Sequence, residues 1–372
     1  MAITKIIGFQ QYQDYLDISF VDFDGFGNLP IYQNKRRYYS NFVFRSVEDR
    51  VWLSAEGRNI GTSSYQEAAR HPSCKVSFTD VYPDHLGGAY TKFMMGFRIK
   101  IPNTGNARPV ELVWLNYRDA DIQDQELSLV NRSEVESSPN VEFFIEVRVD
   151  LETRQVRRWI DGVEFEPKTL PDHFLNEEVA NWHFHFNTKQ ENYWDYQNFY
   201  LNDLYFLVDT TQDNDGLPSN RLGPVKVKAL TPQNVIVPAS WTVPPETDPV
   251  DLVTESIRDP VMRDVPALAT DSTGESAKVQ FQEPDVGEGK VLYTELEVYG
   301  YRNFGDGVQL HTKTHLGTQE GPEKVFELEP ERLKVGPDAI RPGSLHKALD
   351  GEEWTQEKLA NLELEIWTTK IE

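Results

Sequence analysis

The segment Val141 to Asp150 (VEFFIEVRVD) sets Val141, Phe143, Ile145, Val147 and Val149 on one side of an extended chain, with mostly charged residues opposite. A period of two describes a strand with one buried face and one wet face. A second apolar run follows at Arg157–Arg158–Trp159–Ile160. Asp161–Gly162 then separates it from Val163–Glu164–Phe165. Asp-Gly between apolar runs predicts a type I′ hairpin, because that turn requires positive φ at both central residues. A strand joined to a hairpin commits this region to antiparallel β-structure.

The same alternation recurs along the chain. Asn181 to Thr188 places Trp182, Phe184 and Phe186 against His183 and His185, and Asn202 to Val208 is another short apolar run. The stretch TTQDNDGLPSNRLG is polar and turn-rich, and Pro224 to Leu230 reads as a strand resuming after it. Pro232 to Pro249 is too rich in proline to hold long regular structure. Asp248 to Arg258 is the best short helix, with Asp248 as cap and Pro249 in the first turn. A second strand set comprises 290–301, 308–314, 324–328 and 362–368, with a helical turn or two expected in Thr355 to Leu362. Two β-domains follow, residues 1–215 and 222–372, with the boundary inside 209–225.

Composition narrows the function classes. A 39% hydrophobic and 12% aromatic content favours packed domains over disorder. A net charge of −23 argues against nucleic acid as a partner. The single cysteine, Cys74, excludes an intrachain disulfide and a cysteine-based zinc site. The opening MAITKIIGFQQYQ lacks the pattern of a secretory signal, and no run approaches the roughly 20 apolar residues that span a bilayer. A cytoplasmically made protein with no membrane insertion is expected.

Several of these residues carry a resemblance. Arg158 to Gly162 (Arg-Trp-Ile-Asp-Gly) resembles the strand–turn–strand of concanavalin A-like and laminin G-like jelly rolls. Asn202 to Asp209, then Arg221 to Pro232, then Trp241 in a proline-rich setting, resembles an ordered block of tailed-bacteriophage structural proteins. Ile6 to Tyr12 is similar to their Gly-Phe-x-x-Tyr opening, with Gln10 where an acidic residue is usual. The resemblance implies an all-β chain: an N-terminal antiparallel jelly-roll sandwich followed by a smaller β-sandwich domain. It also implies a virion protein of a tail fibre, tail tip, collar or capsid surface, assembled in the host cytoplasm. Its partners would be other virion proteins, with a homo-oligomer expected. Alternative readings are a receptor-binding module for host-surface glycan and a polysaccharide depolymerase.

Chemistry-bearing residues are weighed against that frame. His183 and His185, two apart on a strand, share one face as a metal pair would. No third ligand is fixed, and solvated surface histidines are the expectation. Asp22, Asp24, Gly25, Gly27 and Asn28 suggest a calcium loop but lack EF-hand spacing, so a turn is expected. Glu142, Glu146 and Asp150 are spaced by four, and Glu363 with Glu365 lacks a third member. Neither set matches the acidic strand of jelly-roll hydrolases, and solvent-facing carboxylates are the simpler reading. The expectation is therefore no catalytic residue, no cofactor and no metal: the chain is not an enzyme. The cluster Tyr193, Trp194, Tyr196, Phe199 and Tyr200 lies among polar residues. It suits a protein interface, a glycan contact or a cover for the sandwich edge. Tyr193, Trp194 and Tyr196 are the expected binding residues.

Overall fold

The alternating runs form strands. The computed structural model describes residues 2–7, 31–33, 40–47, 50–57, 73–82, 90–100, 109–117, 127–131, 134–135, 141–190, 199–208, 221–228, 230–258, 268–292, 294–300, 307–328, 338–345 and 347–371. The chain divides into two units, Met1–Val227 and Lys228–Glu372.

In the first unit the strands are β1 (Ala2–Ile7), β2 (Ile31–Gln33), β3 (Ser40–Val47), β4 (Arg50–Gly57), β5 (Ser73–Ser77), β6 (Lys92–Lys100) and β7 (Pro109–Asn116). They continue as β8 (Leu127–Asn131), β9 (Glu142–Asp150), β10 (Gln155–Ile160), β11 (Val163–Thr169), β12 (His183–Gln190) and β13 (Phe199–Val208). One sheet runs β11-β10-β9-β6-β13-β4-β3, with β1 paired to β13; the other runs β2-β5-β12-β7-β8. All pairings are antiparallel, giving a β-sandwich of jelly-roll type.

Period two decides which residues meet between the sheets. Phe143, Ile145, Val147 and Val149 of β9 lie opposite Ile99, Phe97, Met95 and Phe93 of β6, and all are buried. Phe97 meets Phe186 of the second sheet edge-on at 5.0 Å, and Phe78 meets Phe184 at 4.9 Å. Burying each such ring stabilises the fold by roughly 1.5–3 kcal/mol. The hairpin follows from its turn residues: Asp161 and Gly162 have φ of 47° and 82°. Asp161 also accepts the Phe144 N–H through Oδ1 at 2.8 Å.

In the second unit β14 (Pro232–Ile236), β17 (Ala277–Phe281), β23 (Leu362–Lys370), β19 (Val308–Leu316) and β20 (Gln319–Glu320) form one sheet in that order, with β21 (Lys324–Glu327) also on β19. Two smaller ribbons are β15 (Trp241–Thr242) with β16 (Ala269–Thr270), and β18 (Thr294–Gly300) with β22 (Asp338–Leu345). Val279, Phe281, Leu362 and Leu364 on one sheet face pack with Leu296, Trp354 and Leu359. The expected helix is present over Pro249–Arg258, where Asp248 Oδ1 accepts the Val250 N–H at 2.8 Å. A shorter helix, Gln356–Ala360, is capped by Thr355.

One expected element is absent. Residues 221–228 contain no strand, although Pro224 to Leu230 alternates. The alternation there serves a different attachment, described below. Residues 209–220, within the expected boundary, lie outside the described residues, and 221–227 belong to the first unit.

Candidate functional site

Because Phe184 and Phe186 face the core, His183 and His185 face the other way. Register then aligns two rows across the second sheet. The first is Tyr32, Lys75, His185, Trp114 and Ser128, crossing all five strands. The second is Ser77, His183 and Asn116. Four interstrand spacings make the longer row roughly 19 Å. The two imidazole centroids are 5.9 Å apart with planes at 77°, and the Trp114 ring stands edge-on to His185 at 4.9 Å. His183 and His185 are only 6% and 8% exposed, and Trp114 and Asn116 are buried. The expectation of solvated surface histidines is therefore corrected. Polarity at alternate positions identified the face turned from the core, but not whether that face was covered.

The outer face of the larger sheet is closed by the strap 221–227. Trp159, Glu146, Gly96 and Tyr205 form a row across β10, β9, β6 and β13. The Tyr205 ring lies over Gly96, where a methyl group would come within 2.1 Å of it, and its hydroxyl donates to Glu146. Burial, followed by the neighbouring Glu146 charge, holds the Tyr205 phenol well above its usual range, so it remains a donor. Glu146 also accepts from Gly223 N at 2.9 Å and from Arg221 Nη1 at 3.1 Å. Arg221 in turn sits 5.4 Å from the Trp159 ring centroid.

Asp203 repeats the device. Fully buried, it accepts Val227 N at 2.9 Å and Arg98 Nε at 2.9 Å. Arg98 also donates to the Val225 carbonyl at 3.2 Å. Two buried carboxylates, each bonded to one strap N–H and one arginine, thus hold a segment that makes no ladder.

These roles correct the reading of the acidic strand. Glu146 is wholly buried and Asp150 is 8% exposed, so neither is a solvent-facing carboxylate. Asp150 instead accepts the Glu152 and Thr153 N–H groups, each at 3.0 Å, and shapes the turn after β9. Glu142 pairs with Arg50 at 3.2 Å. None of the three is left for paired-carboxylate hydrolysis.

Glu363 and Glu365 belong to a charged ladder on the second unit's sheet. Glu363 accepts from Lys278 at 2.9 Å and Gln280 at 3.1 Å. Glu365 meets Ser276 at 2.5 Å and His315 at 2.7 Å. His311 contacts Glu323 and Thr369, each at 2.6 Å, and stacks on Trp367.

Tyr193, Trp194 and Tyr196 lie outside the described residues, as do Asp22, Asp24, Gly25, Gly27 and Asn28. Phe199 and Tyr200 begin β13. Among the described residues no group of three His, Cys, Asp or Glu side chains is placed to hold a metal, and no helix is long and apolar enough to cross a membrane. Trp114 and Asn116 were not singled out from sequence. Their strand, PVELVWLN, is apolar at both parities around Leu112–Trp114, so alternation does not assign its faces.

No protein-family model matches the chain, and no curated protein matches it. Solved structures with similarity include a sialidase at 7% identity, covering 48% of this chain and 16% of that one, with TM-score 0.28. Another is an alginate lyase of polysaccharide lyase family 7, at 12% identity, covering 45% and 82%, with TM-score 0.27. Peanut lectin is similar at 10% identity, covering 56% of this chain and 100% of the lectin, with TM-score 0.29. The chain thus spans about a sixth of the sialidase's length. With a sialidase and alginate lyases among the similar structures, the expectation that the chain is not an enzyme does not stand.

Proposed function

We propose that the chain recognises a glycan, as a surface module of a bacteriophage particle. The observation that carries the reading is the aromatic cluster Tyr193, Trp194 and Tyr196, set in sequence among glutamine, asparagine and aspartate. Rings and neutral hydrogen-bonding groups at adjoining positions suit sugar rings, which have flat apolar faces and hydroxyl edges. The strand carrying both histidines, β12, ends at Gln190, and the sequence continues directly into Tyr193, Trp194 and Tyr196. Those three rings are the proposed contact element.

The test is a glycan array probed with the full chain, followed by titration of any hit against Trp194→Ala and a Tyr193/Trp194/Tyr196→Ala triple variant. Truncating an interface anchor costs about 2 kcal/mol, roughly thirtyfold in affinity. A loss of that size in both variants supports the reading. Binding unchanged in both, or no binding by the unaltered chain, defeats it.

Placement on a virion rests on the ordered block from Gly8 to Trp241, and peptide mapping of purified particles tests it.

A further inference from the structure

We propose that Thr369, His311 and Glu323 form a nucleophile, base and orienting carboxylate on the second unit's sheet, a set that cleaves carboxylic esters by acyl transfer to Thr369. Register brings them together. His311 in β19 lies opposite Trp367 in β23, and Thr369 is two residues further along β23, so the pleat returns it to the face that carries His311. Glu323 stands at the start of β21, whose Val325 is the partner of His311 on the other side. Glu323 Oε1 is 2.6 Å from His311 Nδ1, and Thr369 Oγ1 is 2.6 Å from His311 Nε2.

Those contacts fix the direction of the protons. An ionised carboxylate only accepts, so His311 donates to Glu323 through Nδ1. In the neutral ring Nε2 is then an acceptor, and the Thr369 hydroxyl donates to it. A hydroxyl on a sheet face is ordinarily a structural hydrogen-bonding group. This one has a base aimed at it and a carboxylate aimed at the base, the arrangement that activates an alcohol for attack. The neighbouring set lacks that order. Ser276 donates to Glu365 itself at 2.5 Å, and His315 meets the other Glu365 oxygen at 2.7 Å, so that imidazole does not stand between carboxylate and hydroxyl. Trp367 stacks on the His311 ring at 5.2 Å with planes at 20°, which limits its rotation. His311 is buried and Thr369 is half-buried, so the base is sheltered while the nucleophile is reachable.

In the reaction Thr369 Oγ1 bonds to the ester carbonyl carbon while its proton passes to His311 Nε2. The bond to the alcohol oxygen then breaks, and the leaving alcohol takes that proton. Water, deprotonated by His311, releases the acid and restores the threonine. Ester and water are consumed, and acid and alcohol are formed. Gln309 lies opposite Thr369 in register, which assigns its amide to the developing oxyanion.

The experiment mixes the full chain with 4-nitrophenyl acetate, follows nitrophenolate release, and weighs the peptides of the quenched protein. The expected result is a burst, then steady turnover, with an acetyl group on Thr369. Thr369→Val keeps the branched shape; it should lose the label and slow release roughly a hundredfold, as should His311→Gln. Thr369→Ser should keep both label and turnover, and His315→Gln should change neither. Glu323 acts through His311, so Glu323→Gln should slow release at saturating ester while leaving KM unchanged. No acetyl group on Thr369 of the unaltered chain, or undiminished release by Thr369→Val, overturns the proposal. The label is read on the unaltered chain, so it decides the matter even where a variant fails to fold. The probe carries no sugar, so this inference and the glycan reading fail separately.

Discussion

Gly96→Ala is the smallest change that tests the strap. A methyl group there would stand 2.1 Å from Cε1 and 2.4 Å from Cζ of Tyr205. Carbon atoms rest at about 3.5–4.0 Å, so the ring must retreat by roughly 1.5 Å. It has little room, because Tyr205 is fully buried. Retreat also breaks its hydrogen bond to Glu146 and the one it accepts from Leu222 N at 3.3 Å. Overpacking typically costs about 1–3 kcal/mol, and a hydrogen bond to a charged group about 1.5–3 kcal/mol. The expected loss is therefore about 3–5 kcal/mol, from one methyl group in mid-strand. Urea unfolding followed by tryptophan fluorescence would measure it. The cost should fall to about 1 kcal/mol or less when Tyr205 is already leucine, because the clash and the bond are then gone. A Gly96→Ala loss below about 0.5 kcal/mol, or an equal loss in the Tyr205→Leu background, would refute the argument.

Other outcomes follow from the same structure. A fragment 1–227 should resist urea better than a fragment 1–215, since only the longer one carries the bonds from Arg221, Gly223 and Val227; equal midpoints would show that the strap adds nothing. Gly162→Val should lower the first unit's stability by about 1 kcal/mol or more, because a β-branched residue tolerates φ of 82° badly, whereas Gly162→Asn should restore most of the loss. In the second unit, burial pushes the Glu365 carboxyl up, but hydrogen bonds from Ser276 and His315 outweigh it and hold the group below its ordinary 4.5. The folded state therefore binds fewer protons than the unfolded one. That contribution is present above about pH 4.5 and lost as pH falls through the folded value. Glu365→Gln should flatten the acid limb of the second unit's thermal midpoint against pH, and an unchanged limb would place the acid sensitivity elsewhere.

The sequence was most legible where one local rule acts alone. Alternation located β9, and Asp161–Gly162 located its hairpin, because both depend on neighbours within a few residues. Asp248 before Pro249 marked the helix for the same reason. The misreadings arise where distant chain decides. Glu146 alternates as a wet-face residue should, yet a segment some 75 residues away covers it. His183 and His185 occupy the polar parity and are still buried. Pro224 to Leu230 reads as a strand, but residues 221–228 form none, and the Val227 N–H goes to the Asp203 carboxylate. Gly96 within KFMMGFRIK was a usable sign, since a glycine inside a strand often marks close approach by another group. Arg158 was another miss: it sits at an inward position of β10, and its guanidinium binds Leu129 O at 2.7 Å and Glu134 at 2.6 Å. Nothing in its local pattern announces that the side chain joins one sheet to the other.

The clasp also bears on how this chain tolerates length changes. Val208 closes β13, and Arg221 meets Glu146 on the same sheet, so the residues on either side of 209–220 are both attached to one sheet. For a flexible connection between fixed ends, each doubling of length costs about 0.6 kcal/mol. A peptide epitope or a small folded domain inserted at 214–216 should therefore leave the first unit standing, provided Arg221 and Gly223 are untouched.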